Sequence, residues 1–548
     1  MKKLSIEIGF AWVVAMCLSG CASTASDGPA KVTAPVRAQA PSFYPPAPVP
    51  AAIMPPPMVS QKLVLPEESP QYRHYGDNPV QQVSAHPLTT FSLDMDTGSY
   101  ANVRRFLNRG ELPPVDGIRV EELINYFPSD ETPEKRLGRS PFAVDYELAP
   151  SPWNHDKTLL RVNVQAMNET KTSMPPSNLV FLVDVSGSMD PPERLPLIKS
   201  SLKLLTQQLR PQDAVSLVTY ASGTEVVLPP TSAANRDIID AAIDRLVAGG
   251  TTAGASGLQL AYKMARQGFI ANGVNRVLLA TDGDFNVGVT STQALVDMIK
   301  HERDSGVTLS TLGVGDSDYK DAMMVQIADA GNGNYSYIDT LSEADKVLRD
   351  EMRSTLVTVA KDVKAQIEFN PSEVLEYRQI GYEKRQLNNE DFNNDQVDAG
   401  DIGAGKRVTV LYELTLKGQK PSVDQSRYQA VKEDSNPTSI PKFSELAFIK
   451  LRWKAPGGKI SELASTPIGK SALRSSFDSA SSETRFLAAV AAYGQKLRGN
   501  PALASTTWPA IAAWANDAKG RDNFGYRAEF VRLVRLAGSL SKDEQAAR

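Results

Sequence analysis

The chain reads as an α/β protein centred on a doubly wound, mostly parallel sheet, flanked by a small α+β unit and by a carboxyl-terminal unit of strands and helices. Two observations predict the centre. Between residues 176 and 356, short apolar runs alternate with amphipathic stretches, the pattern of a parallel sheet covered by helices on both faces. Two of those runs also end in acidic loops: Leu179-Val180-Phe181-Leu182-Val183 leads into Asp184-Val185-Ser186-Gly187-Ser188, and Val277-Leu278-Leu279-Ala280 into Thr281-Asp282-Gly283-Asp284. Such sheets bind ligands outside the carboxyl ends of their strands, so both loops stand where a site is expected. A third observation bounds the centre, because outside it the alternation gives way to β-rich and then helical patterns.

From the amino terminus, residues 1–20 carry Lys2 and Lys3, an apolar run from Ile8 to Leu18, and small residues before Cys21, which together read as an export signal. The run is too short to span a bilayer. Leu18-Ser19-Gly20-Cys21 resembles the lipobox of bacterial lipoproteins, which implies cleavage before Cys21, acylation of its thiol and attachment to a membrane. By the same resemblance, Ala22 in place of an aspartate favours the outer membrane, facing the periplasm or the surface. The only other cysteine, Cys17, would leave with the signal, so no disulfide is expected. Residues 21–87 are rich in Ala, Pro and Ser, including Tyr44-Pro45-Pro46-Ala47-Pro48-Val49-Pro50, and read as a semi-rigid tether.

The first flanking unit is placed at 88–170. Ser99 to Asn108 fits a helix closed by Gly110, Val120 to Phe127 a second helix, and Phe142 to Leu148 and Leu159 to Val164 two strands. In the central domain, strands are expected at Leu179–Val183, Ala214–Tyr220, Val277–Ala280, Val307–Val314 and Tyr335–Ile338. Helices are expected near Leu195–Leu209, Ile238–Leu246, Ser256–Gln267, Thr292–Glu302, Asp321–Ala330 and Ser342–Leu356. The unit at 357–548 opens with strands near Val363–Phe369, Arg407–Leu416 and Ala447–Trp453. It ends in helices near Thr484–Leu497, Trp508–Ala518 and Tyr526–Leu536, the last closed by Gly538.

The loops after the two acidic strand ends, with Gly249-Gly250-Thr251-Thr252 before a helix, bring carboxylates and hydroxyls to one edge. Hard oxygens of this kind hold a divalent cation. In that order and on those elements they resemble the von Willebrand factor type A domain and its metal-ion-dependent adhesion site. The resemblance implies a Rossmann-like fold and a metal site formed by Asp184, Ser186, Ser188, Thr252 and Asp282. Thr252 is preferred over Thr251 because the family threonine lies six residues before the apolar residue opening the next helix, here Leu258; Thr251 is the alternative. The family also implies Mg²⁺, or Mn²⁺ or Ca²⁺, with an open coordination position that accepts an acidic residue of a protein partner. Phe91-Ser92-Leu93-Asp94-Met95-Asp96-Thr97-Gly98-Ser99-Tyr100 and Glu121-Glu122-Leu123-Ile124-Asn125-Tyr126-Phe127 resemble one subfamily of exported bacterial type A proteins. Adhesion, rather than catalysis, is the expected role.

Other signals are weaker. Asp96-Thr97-Gly98-Ser99 imitates an aspartic-protease run but lacks a matching second half, and capping of the following helix explains it more simply. Asp391 to Gly400 imitates a calcium loop, but has Gln396 at the glycine position and Ile402 at the bidentate position, so a polar hairpin loop is expected. The four histidines lack zinc-ligand spacing. A net charge of −4 and the absence of a Lys/Arg run argue against a nucleic-acid partner.

Overall fold

The computed structural model describes residues 72–93, 96–129, 131, 137–167, 174–251, 254–283, 292–315, 319–351, 357–424 and 445–541. Six central strands lie in the order Tyr335–Tyr337, Thr308–Gly313, Val274–Thr281, Ser177–Asp184, Ala214–Tyr220, Thr224–Ser232. All neighbours are parallel except the last pair. That antiparallel edge strand is not evident in the sequence. It carries Pro229 and Pro230, which only an edge tolerates.

Strand Ser177–Asp184 is buried along its whole length. Leu179, Phe181 and Val183 enter one core with Ile198 and Leu202 of helix Leu195–Thr206. Val180 and Leu182 enter the opposite core with Leu258 and Ala261 of helix Gly254–Gln267. An uninterrupted apolar run is what a strand covered on both faces requires. Its carboxyl end, and that of Val274–Thr281 beside it, emerge on the same edge.

The flanks form two antiparallel sheets. One runs Gln81–Gln82, Val374–Ile380, Arg407–Leu416, Thr158–Ala166, Phe142–Pro150; the other runs Gln386–Leu387, Leu88–Ser92, Thr358–Phe369, Glu445–Lys454, Ser461–Gly469. Each mixes strands from before and after the central domain, so the flanks read separately in the sequence share one core. Phe91, Phe142 and Val162 meet Ile367, Tyr412, Ile449 and Trp453 there. The central domain leaves and re-enters this sandwich beside a single turn. Gly405 N–H donates to the Met167 carbonyl (3.0 Å) and Ala404 N–H to the Val357 carbonyl (2.8 Å).

Helices Ser482–Leu497, Trp508–Asp517 and Tyr526–Leu540 pack with Gly98–Asn108 and Val120–Ile124 around Tyr100, Leu123, Phe486, Tyr493, Trp508 and Phe530. Several boundaries differ from expectation. The helix at Val120 stops at Ile124, and the last helix runs through Gly538 to Leu540. The helix expected over Ser342–Leu356 is α-helical only over Leu341–Asp345 and continues as a π-helical segment, Lys346–Glu351; residues 352–356 lie outside the described residues. Asp96 does not cap its helix, and Thr97 at the N-cap makes no side-chain cap bond. Asp96 instead accepts from Tyr335 N–H (2.9 Å) and pairs with Arg385 (2.7 Å) and Lys384 (3.4 Å). Burial opposes its ionisation, but the Lys384 and Arg385 charges prevail and hold its carboxyl below the usual range. The stretch expected as a polar hairpin is a short 3-10 turn, Asn389–Asn393, with Asp395 and Asp398 paired to Arg452 (3.1 Å) and Arg303 (2.7 Å).

Buried guanidinium groups join the layers. Arg104, on the first helix, donates to Asp339 (2.7 Å from Nε) and Glu343 (2.8 Å) of the central domain and to Glu529 (3.0 Å) of the last helix. Tyr126 closes the knot, donating to Glu343 (2.6 Å). Arg119 likewise spans Glu122 (2.5 Å) and Asp321 (2.8 Å). Removing one partner of a buried ion pair strands the others without solvent, a cost of about 3–5 kcal/mol. Arg104→Leu is therefore expected to lower unfolding stability by that order in urea titration, and Arg104→Lys, which keeps charge but not the planar fork, by less. A loss below about 1 kcal/mol in the leucine variant would show that the knot contributes no net stability.

Candidate functional site

Asp184 ends the central strand and is fully buried. Its Oδ1 accepts from Ser186 N–H (2.9 Å), the bond that folds the chain back into a tight turn. Its Oδ2 accepts from the Thr281 hydroxyl (2.9 Å), which fixes the carboxylate against the neighbouring strand. Ser186 is buried and Ser188 exposed, yet their hydroxyl oxygens stand 3.0 Å apart. Asp282 follows Thr281 and is also buried. The third loop closes over this turn: Gly249 N–H donates to the Val185 carbonyl (2.8 Å) and Gly187 N–H to the Gly250 carbonyl (3.0 Å). Gly250 has φ +85°, and a Cβ there would stand 2.5 Å from the Ser222 hydroxyl, so glycine is required.

Asp184, Ser186, Ser188 and Asp282 are thus brought to one strand-end edge, as the sequence predicts. Thr252 and Cys21 lie outside the described residues, as does Asp284; Asp190 is exposed. Thr251, the alternative to Thr252, is exposed and borders the site, its N–H donating to Ser222 Oγ (2.9 Å).

Sequence reasoning missed Arg194. Its Nη1 donates to Asp282 Oδ2 (2.6 Å) and to the Ser188 carbonyl (2.8 Å), so one buried cation ties two of the three loops. Space for it comes from Gly315, at φ +88°, where a Cβ would lie 2.8 Å from Arg194 Nε and 3.1 Å from Asp282 Cβ. Tyr337 anchors that glycine by donating to its carbonyl. An arginine ten residues beyond Asp184 carries no motif signal, and only folding brings it to Asp282. Ser222 escaped notice for the same reason, and Thr281, though it stands beside Asp282 in sequence, shows its bond to Asp184 only in the fold.

Burial pushes the Asp184 carboxyl up to about 6, with the Asp282 charge adding to the rise against the Ser186 and Thr281 hydrogen bonds. Ionised Asp184 is therefore a cost that an added cation would relieve. The donors suit a hard cation. Oxygens in adjacent positions of an octahedron with bonds of ~2.1 Å stand about 3 Å apart, the separation the two serine hydroxyls already have. Among the described residues no group of three or more His, Cys, Asp or Glu is placed to hold a metal, so any cation here would depend on hydroxyl donors.

A parallel sheet with such loops at its carboxyl edge defines a type A domain, and a family profile described as von Willebrand factor type A domain matches residues 178–353. Profiles described as von Willebrand factor and as uncharacterized protein YfbK, C-terminal, match residues 66–161 and 354–540. The uncharacterized protein YfbK of Escherichia coli (strain K12) is 58% identical over 480 residues, 87% of this chain and 82% of its own length. The chain belongs to the family of YfbK, a von Willebrand factor type A domain protein. Uncharacterized protein sll0103 of Synechocystis is 32% identical over 185 residues, 34% of this chain and 43% of its own length. A solved structure titled von Willebrand factor type A from Catenulispora acidiphila is 17% identical, covering 72% of this chain and 89% of that one, with a TM-score of 0.40. The role that the type A domain suggests is protein interaction or adhesion.

The raised Asp184 carboxyl has a definite sign. Its folded-state value lies above the unfolded one, so its favourable contribution is complete only below about pH 4 and is lost as pH rises through about 6. In chelator, Asp184→Asn is expected to melt above wild type at pH 7, by about 1–3 kcal/mol of stability, with the advantage fading towards pH 4. Thermal unfolding at both pH values checks this, and equal gaps at the two would refute it.

Proposed function

We propose that this chain is a lipid-anchored cell-envelope protein, attached through Cys21 and without catalytic chemistry of its own, that grips a protein partner through a divalent cation. Asp184, Ser186, Ser188, Thr252 and Asp282 hold the ion, Mg²⁺ or else Mn²⁺ or Ca²⁺, and an acidic residue of the partner takes its open position. The observation that carries this reading is the 3.0 Å pairing of the Ser186 and Ser188 hydroxyls beside buried Asp184. Three of the five donors are neutral hydroxyls and only two are carboxylates, so the ion keeps appreciable electrophilicity and attracts an outside carboxylate. The tether expected over 21–87 is cut short at its carboxyl end, where Gln81–Gln82 pairs with Val374–Ile380 and Val83 is buried; its Pro-rich part before residue 72 would hold the folded body away from the membrane.

A second reading rests on Arg194. Its ion pair with Asp282 already supplies a positive charge to the site, so the loops would be ordered without metal and the flanking surfaces would make the contacts. Titration with Mg²⁺ and Mn²⁺ separates the two. If the ion binds, the melting temperature rises with concentration, by about 2.7 kcal/mol in stability at a hundredfold excess over Kd. Asp184→Ala abolishes this rise, and partner capture from membrane extracts falls both in that variant and in chelator. Capture that is equal under all these conditions, with the variant shown to be folded, would refute the metal-dependent grip.

Arg194 also tunes the ion. A positive charge beside a cation site opposes binding by on the order of 1–3 kcal/mol at a protein-like dielectric. Arg194→Gln is expected to tighten Mn²⁺ binding about tenfold in calorimetry while lowering the melting temperature in chelator. Unchanged Mn²⁺ affinity would show that the guanidinium does not compete with the ion.

A further inference from the structure

Away from the strand-end loops, a cleft of about 390 Å³ opens between the central domain and the sandwich. Six cationic side chains line it: Arg276, Lys300 and Arg303 from the central domain, and Lys384, Arg385 and Lys406 from the sandwich. Three carboxylates, Asp329, Asp398 and Asp401, share the lining, so positive charge is in excess although the whole chain is net negative. Much of the acid is already engaged. Asp329 pairs with Lys384 (3.1 Å) and Arg385 (3.4 Å), and Asp398 with Arg303 (2.7 Å). Lys300 is exposed and Lys406 half-buried, and neither ammonium has a hydrogen-bond or ion-pair partner among the described residues.

Arg276 forms the floor. It is buried on strand Val274–Thr281, where its Nε donates to the Thr308 hydroxyl (3.0 Å). Burial lowers its guanidinium to about 10, against the supporting charge of Asp401. It therefore stays charged at neutral pH, in a place where charge is costly. The amide side chains of Asn332, Asn334 and Gln386 add neutral donors and acceptors to the wall. A concave site of this size, with convergent polar groups and a surplus of one sign, suits a small ligand of opposite sign.

We propose that this cleft binds a small free polyanion carrying two or more phosphate or carboxylate groups, held between Arg276, Lys300 and Lys406. Lysines meet either group as point charges, and a buried arginine can meet either bidentately. The site lies apart from the Asp184 loops and does not depend on the metal reading.

Calorimetry on the purified full chain tests this, with inorganic pyrophosphate and citrate as probes, glucose as a neutral control and long-chain polyphosphate as a polymeric one. Binding of pyrophosphate, citrate or both is expected, weakening as salt rises and falling at least tenfold in Lys300→Glu/Lys406→Glu. Lys263→Glu, on an exposed helical position outside the cleft, is expected to leave it nearly unchanged. Neither variant removes a hydrogen bond or ion pair among the described residues, so loss of fold is not expected, and circular dichroism verifies it. Absence of binding by both small probes, binding of polyphosphate alone, or equal weakening in Lys263→Glu would overturn the proposal.

Discussion

The Arg104 guanidinium is the constraint on which the arrangement of layers depends. It is buried, and the cost of burying its charge is offset by Asp339, Glu343 and Glu529, which come to it from separate elements. Two of those partners belong to the central domain, one at the end of its last strand and one on its last helix, and the third to the carboxyl-terminal helices. Each element is then held by an electrostatic requirement as well as by apolar contact. The Tyr126 ring extends the requirement, lying stacked on Tyr100 at 3.8 Å and under the Lys346 ammonium at 3.9 Å. Apolar packing of similar area would tolerate sliding, whereas a fork of directed hydrogen bonds fixes position.

The strand-end loops follow the opposite logic. Two buried carboxylates stand on adjacent strands, and one arginine offsets them. Backbone geometry maintains this expensive arrangement: a turn closed by Asp184, a glycine at 250 pressed against Ser222, and a glycine at 315 that admits Arg194. Sites of this kind trade stability for the capacity to bind, and perturbed carboxylates mark them.

Much of this centre was legible in the sequence, and the reason is local. Asp184, Ser186 and Ser188 fall within five residues at the end of an apolar run, and Asp282 repeats the placement at the end of strand Val274–Thr281. The alternating cores of Leu179 to Val183 need no distant information beyond burial on both faces. The flanks were less legible because period-two patterning shows which face a strand buries and not which strand lies beside it. Leu88–Ser92 pairs with Thr358–Phe369, more than 250 residues away. Asp96 shows the same limit at a single residue, since its partners Lys384 and Arg385 are equally remote and a helix cap was the nearest local explanation.

The turn at Gly403 to Lys406 holds both ends of the central domain, through the Met167 and Val357 carbonyls. The domain is therefore a closed insertion in its host. While it is folded, its two ends are delivered side by side and the sandwich closes around them at little entropic cost. Were it to unfold, the host would have to close a flexible loop of about 190 residues, a penalty on the order of 4–5 kcal/mol by chain statistics. Chain connectivity thus couples the two bodies over and above contacts such as the Arg303–Asp398 ion pair. A ligand bound only at the strand-end loops would then lend cooperativity to a sandwich that it never touches.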